Sequence, residues 1–126
     1  MQASEFYKSI QERLHLADRT EAETASRVVL AALADRIDPE ETWDLASQLP
    51  KELSDFVRRR GGPVQKMDIN TFLSRIQSDL DLMNQEQAAN VARGVFAVLK
   101  EAVSQGEWED VASQLPRELQ EMFETA

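Results

Sequence analysis

One short stretch occurs twice in this chain: Leu-Ala-Ser-Gln-Leu-Pro at residues 45–50 returns as Val-Ala-Ser-Gln-Leu-Pro at 111–116. The two copies are 66 residues apart, and the similarity extends outward from them in both directions. Residues 6–57 laid over residues 72–123 without a gap give 19 identities in 52 positions. Chance gives only a few identities, so we predict an internal duplication with one repeat at 4–57 and another at 68–124.

The segment between the two repeats, residues 58–67, is predicted to be a linker. It contains Gly61-Gly62-Pro63, the strongest chain-breaking run in the sequence. Because this linker is short, we expect the two repeats to pack together as one compact domain.

Each repeat is predicted to form four helices. In the first helix, Phe6, Ile10 and Leu14 recur at helical spacing. The second helix opens with the capping boxes at residues 18–21 and 84–87, and its wide apolar stripe places it at the centre of the fold.

The third and fourth helices follow from their start signals. Asp38 and Ser104 are predicted to cap the third helix, with a glutamate three residues later in each repeat. Pro50 and Pro116 are predicted at the first position of the fourth helix, where a missing amide costs nothing. No segment shows useful strand alternation, so the predicted fold is all-α with about eight helices.

The composition excludes several classes of site. The chain has 126 residues, a net charge of -9, no cysteine and one histidine, His15. Thiolate chemistry, multi-histidine metal sites and phosphate loops are therefore not expected, and we predict no metal site and no cofactor. The negative charge argues against nucleic acid and membrane surfaces. Because residues 1–5 do not resemble a secretory signal and the chain has no cysteine, we expect a cytoplasmic protein.

The two Gln-Leu-Pro motifs, each followed by Glu-Leu and preceded by a long Ala/Val/Leu helix, resemble a known bacterial family, domain of unknown function 2267. The resemblance covers about residues 4–124. It implies an all-helical, internally duplicated protein that is sometimes joined to regulatory modules. It implies no established activity and no catalytic residues.

Several charged residues occur at matching positions in both repeats. Arg27 and Arg93 lie beside the apolar stripe of the central helices. We predict structural ion pairs for them because an unpaired charge at such a place is costly, although a site for an anionic ligand is the alternative. The carboxylates that could accept these ion pairs are Asp44, Asp110, Glu52 and Glu118.

A further acidic run, residues 107–110, surrounds Trp108. Its side chains are expected to fan around the helix axis, so we interpret the run as a solvated helix start that favours the helix dipole.

The candidate interaction surface consists of Trp43, Arg58, Arg59 and Arg60. Trp43 is shifted by one position relative to Trp108, so we expect Trp108 in the core and Trp43 partly exposed. An exposed tryptophan next to the one basic run suggests a contact with a partner, with core packing and helix-end charge as the plainer interpretations.

From these features we predict a non-catalytic protein-interaction or self-association module. The alternative is a regulatory protein that binds a small molecule in an apolar pocket between the central helices, near Gly94.

Overall fold

The structure, a computed structural model, describes residues 1–58 and 61–126, and these residues form eight helices and no strand. This confirms the all-α prediction. The helices are α1 (Ala3–Leu14), α2 (Arg19–Arg36), α3 (Pro39–Ser47), α4 (Lys51–Val57), α5 (Ile69–Asp79), α6 (Gln85–Ala102), α7 (Gln105–Ser113) and α8 (Arg117–Thr125).

The helices of the two halves match in order and spacing. Helices α2 and α6 have 18 residues each, and α3 and α7 have nine each. In both pairs the starting residues are 66 positions apart, which is the spacing of the repeated motif. The duplication itself remains a prediction.

The two long helices, α2 and α6, form the centre of the fold. Each buries nine residues, and the two helices contact one another. Helix α1 packs against both of them, and so does α5. Because the first helix of each half also contacts the central helix of the other half, both halves contribute to one hydrophobic core.

The caps of the central helices confirm the sequence prediction. The Asp18 carboxylate accepts a hydrogen bond from the Glu21 amide at 3.0 Å, and the Asn84 side chain accepts one from Gln87 at 2.9 Å. The returning bond differs by one residue, because Glu21 accepts from the amide of Ala17 rather than from that of the cap.

The two prolines lie one position earlier than predicted. Pro50 and Pro116 are the caps of α4 and α8, and the helices begin at Lys51 and Arg117. Both prolines have a ψ of 154°, which is extended. Their φ values suit a helix or an extended chain equally well, so the ring alone does not determine which side of the boundary each proline occupies.

The predicted linker is anchored to the end of α2. Gly61 and Gly62 have φ values of 145° and 85°, which favour glycine. Beyond them, the Gln65 amide donates to the Asp35 carbonyl at 2.8 Å, and Met67 is buried. These contacts hold the second part of the linker on the core.

Gly94 allows α1 to approach α6 closely. A Cβ atom at this position would lie 2.6 Å from Leu14 Cδ2, much closer than carbon atoms normally approach. The position that a side chain at residue 94 would occupy is therefore filled by Leu14 of the same chain. None of the helices in residues 1–58 and 61–126 combines the length and apolar character needed to cross a membrane.

Candidate functional site

The predicted interaction surface is partly assembled in the structure. Trp43 is 48% exposed, and the Arg58 guanidinium carbon lies 4.9 Å from the centre of its ring. Arg58 also forms a long ion pair of 3.9 Å with Asp55. We call this surface the Trp43–Arg58 face. Arg59 and Arg60 lie outside the described residues. Trp108 is half-buried and packs against Phe123, with ring centres 5.9 Å apart.

A second feature, which the sequence analysis missed, lies where α3 contacts α7. Glu41 and Glu107 are buried there, with 9% and 6% of their surface exposed. One oxygen of each glutamate and one of Asp110 lie within 4.8 Å of one another. We call these three residues, together with Asp44, the acid junction.

The acid junction corrects the interpretation of residues 107–110 as a solvated helix start. Glu107 and Asp110 are three positions apart, so they share one face of the helix. On that face Glu107 is buried against α3, whereas Asp110 stays exposed at the edge of the contact. Glu41 and Glu107 therefore do not serve as simple capping glutamates.

Two glutamines of the repeated motif cross between the halves beside this junction. Gln114 accepts from the Asp38 amide at 2.7 Å, and Gln48 accepts from the Ser104 amide at 2.7 Å. Asp38 and Ser104 are the cap residues that precede α3 and α7, and the amide of a cap residue has no partner within the helix that follows. Each half thus completes a helix start of the other half.

The glutamates of the acid junction are only partly hydrogen-bonded. Gln114 Nε2 donates to Glu41 Oε1 at 3.2 Å. The Oε2 atoms of Glu41 and Glu107 are buried and accept no hydrogen bond from the described part of the chain. Burial, followed by the interaction with Glu41 and repulsion from Asp44 and Asp110, raises the pKa of Glu107 to about 8.

In the part of the chain that the structure describes, Arg27 and Arg93 do not form the predicted ion pairs. Both arginines are exposed, and neither forms an ion pair within residues 1–58 and 61–126. Each lies on the narrow solvent-facing side of its central helix, where water solvates the charge and a carboxylate partner is unnecessary.

The four carboxylates predicted to pair with these arginines are all exposed and occupy different places. Asp44 and Asp110 belong to the acid junction. Glu52, at the start of α4, lies close enough to the buried phenol of Tyr7 to contribute to a raised pKa there, after the larger effect of burial. Glu118 lies in the first turn of α8.

Ion pairs between the halves form elsewhere. Arg75 of α5 binds Asp35 of α2 at 2.8 Å, and Arg13 of α1 binds Glu101 of α6 at 3.3 Å. Asp35 and Glu101 are 66 residues apart, so the two pairs use matching positions of the central helices.

The family assignment follows from a comparison with protein-family models. The model described as an uncharacterized conserved protein, DUF2267, matches residues 3–122, which is nearly the whole chain. The chain belongs to this family. Among curated proteins, none matches it.

The DUF2267 domain has two grooves relevant to the predicted pocket. The groove beside Gly94 has a volume of about 460 Å³, and charged side chains such as Arg13 and Arg93 line it together with apolar residues such as Leu14 and Ala97. A second and more apolar groove, of about 380 Å³, lies beside the N-terminal turns of α2 and α6. Ala25 and Leu16 line it from the first half, and Val91 and Leu82 line it from the second.

A signal for the acid junction was present in the repeat of this DUF2267 chain. Glu41 and Glu107 are identical at the 66-residue spacing, as are Gln48 and Gln114. Both glutamates also precede an aspartate by three positions. This pattern shows that the positions match between the halves, but it does not show that the two helices meet.

Proposed function

We propose that this DUF2267 domain is a non-catalytic self-association module and that the Trp43–Arg58 face is its contact surface. The observation that carries the proposal is the half-exposed indole of Trp43 with the Arg58 guanidinium placed over it. Tryptophan and arginine are the residues that most often dominate the energy of protein interfaces. The cation–π contact also limits the motion of both side chains before binding, which lowers the entropic cost of association.

The charge of the chain indicates the chemistry of the partner surface. Residues 58–60 form the one run of three basic residues in a sequence with 14 basic and 23 acidic side chains. Every copy of the protein therefore offers acidic surface that complements this run. A second copy of the chain is the occupant we propose, with its acidic surface docked on the Trp43–Arg58 face.

Where such a contact joins two different surfaces, copies add head to tail and do not stop at a two-fold dimer. We therefore expect the mean mass to rise steadily with protein concentration and to fall when salt is added. The cysteine-free composition fits a reducing cytoplasm, which is the compartment we propose for the module.

Replacement of Trp43 by Ala is expected to weaken self-association about tenfold, which corresponds to about 1.4 kcal/mol of lost contact energy. The measurement is light scattering over a concentration series at low and high salt. Met83→Ala is the matched control, because Met83 is an exposed apolar residue outside the face and is 84% accessible. A wild-type protein that stays monomeric at high concentration would contradict the proposal, as would equal association of the two variants.

A second candidate function is the binding of a small apolar ligand, which the groove around Leu16, Ala25, Leu82 and Val91 favours. Its volume of about 380 Å³ is within the usual range of ligand pockets. We expect an apolar fluorescent dye to bind there with increased emission. Ala25→Trp should abolish this increase by filling the groove, whereas Ala31→Trp, at a half-exposed position about 120° further around α2, should not. Dye binding that Ala25→Trp leaves unchanged would reject this site.

A further inference from the structure

The geometry points to a binding site for one divalent, oxygen-preferring cation at the acid junction, with Glu41, Glu107 and Asp110 as its protein ligands. These residues come from the two helices α3 and α7, so the ion would tie one half of the chain to the other. This site is separate from the self-association proposed above, and each proposal can fail alone.

The unpartnered oxygens of the two glutamates are the observation that carries this inference. Glu41 and Glu107 are each more than nine-tenths buried, and the Oε2 atom of each accepts no hydrogen bond within residues 1–58 and 61–126. A buried carboxylate oxygen without a donor is costly for the folded state. A bound cation removes this cost because it supplies both a positive charge and a ligand bond.

The protein supplies little compensation of its own. Gln114 Nε2 gives Glu41 one neutral hydrogen bond, at the other carboxylate oxygen. Among the described residues, no lysine or arginine forms an ion pair with any of the four carboxylates of the acid junction. Four acidic groups thus lie together with no basic side chain paired to them in the described part of the chain, and a cation that replaces the proton held by Glu107 complements that arrangement.

The donor atoms indicate the class of cation. All of them are carboxylate oxygens, which hard cations such as Ca²⁺, Mg²⁺ and Mn²⁺ prefer. Ligands lie about 2.3–2.6 Å from Ca²⁺, so oxygens on opposite sides of that ion are up to about 5 Å apart. The observed spacing of up to 4.8 Å fits Ca²⁺ directly, whereas Mg²⁺ requires a tighter octahedron. We therefore expect Ca²⁺ to bind more tightly than Mg²⁺.

The spacing of the acidic residues along α3 and α7 also suits a cation that takes ligands from both helices. Glu41 and Asp44 are three positions apart on α3, and Glu107 and Asp110 are three positions apart on α7. Each helix therefore presents one glutamate and one aspartate on the face toward the junction. Asp44 is close enough to raise the pKa of Glu107, and water completes the coordination on this more open side.

The experiment is a calorimetric titration of the full chain, after removal of metals with a chelator, with CaCl₂, MgCl₂ and MnCl₂ in turn. Thermal unfolding with and without each salt gives an independent readout. We expect one Ca²⁺ per chain and a higher midpoint of unfolding in its presence. Glu41→Gln and Glu107→Gln should each weaken Ca²⁺ binding at least tenfold and remove the gain in thermal stability, while Asp110→Asn should have a smaller effect.

Glu109→Gln is the matched control because it removes one negative charge from the same helix outside the acid junction. Its carboxylate accepts a hydrogen bond from Gln105 at 3.0 Å. We expect this variant to bind Ca²⁺ like the wild type. Absence of binding to all three salts at millimolar concentration would overturn the inference. Equal weakening by Glu109→Gln and Glu107→Gln would also overturn it, because diffuse attraction by the acidic surface would then account for the binding.

Discussion

In metal-free buffer, Glu107→Gln is expected to raise the free energy of unfolding by about 3 kcal/mol at pH 9 and to leave it nearly unchanged at pH 4. Glu107 is buried against Glu41, and burial is the largest cause of its raised pKa. The substitution keeps the shape of the side chain and removes its charge. It also introduces an amide that can donate to the unpartnered oxygen of Glu41.

The direction in which wild-type stability changes with pH follows from the pKa of the Glu107 carboxyl in the unfolded and in the folded chain. Its ordinary pKa is 4.5, and in the folded protein it is about 8. Between these values the folded chain holds a proton that the unfolded chain has released, so wild-type stability falls as the pH rises from about 4.5 to about 8. Each pKa unit is worth about 1.4 kcal/mol, and water entering beside the charged pair reduces the total.

The measurement is urea unfolding of both proteins across this pH range, with a chelator present. The other carboxylates contribute to both curves, so the difference between wild type and variant isolates Glu107. Glu109→Gln should give a curve parallel to that of the wild type. If Glu107→Gln also gives a parallel curve, the carboxyl of Glu107 is not buried in a charged neighbourhood.

Gln114→Ala is expected to lower the free energy of unfolding by about 2–3 kcal/mol, and Gln48→Ala by about 1 kcal/mol. Each glutamine accepts one bond from a helix-start amide in the other half, at 2.7 Å in both cases. Gln114 alone also donates to Glu41. Its loss therefore leaves a second buried group, the Glu41 carboxylate, without a hydrogen bond from the described residues.

Chemical unfolding at pH 7 measures both variants against Gln120→Ala. Gln120 bonds to Glu124 on the surface of its own helix at 3.0 Å, and its loss should cost only a few tenths of a kcal/mol. The asymmetry between the two motif glutamines is the informative result. Equal costs for Gln48→Ala and Gln114→Ala would contradict the bond from Gln114 to Glu41.

The helices were predictable because their signals are local. Capping residues such as Asp18 and Asn84 lie within one turn of the amides they accept from, so the sequence alone indicates the helix start. The repeated spacing then supplied the same boundaries twice. Pro50 and Pro116 were misplaced by one residue because proline fits both the cap and the first helical position.

The acid junction was not predictable because its contacts are distant in sequence. Gln114 and Asp38 are separated by 76 residues, and Gln48 and Ser104 by 56. The capping pattern around Glu107 indicated a solvated glutamate, and only the packing of α7 on α3 buries it. Exposure of Trp43 was predictable from its one-residue shift relative to Trp108, because one helical step moves a side chain by about 100°.

A carbon-13 NMR titration of the glutamate side-chain carboxyls, with metals removed, examines the acid junction most directly. The structure predicts that Glu107 titrates with a midpoint near pH 8, because its carboxyl is buried and lies close to the carboxyls of Glu41 and Asp110. Exposed glutamates such as Glu118 serve as references in the same spectra. If Glu107 instead titrates near its ordinary pKa of 4.5, its carboxyl is solvated and the junction between α3 and α7 is not as described.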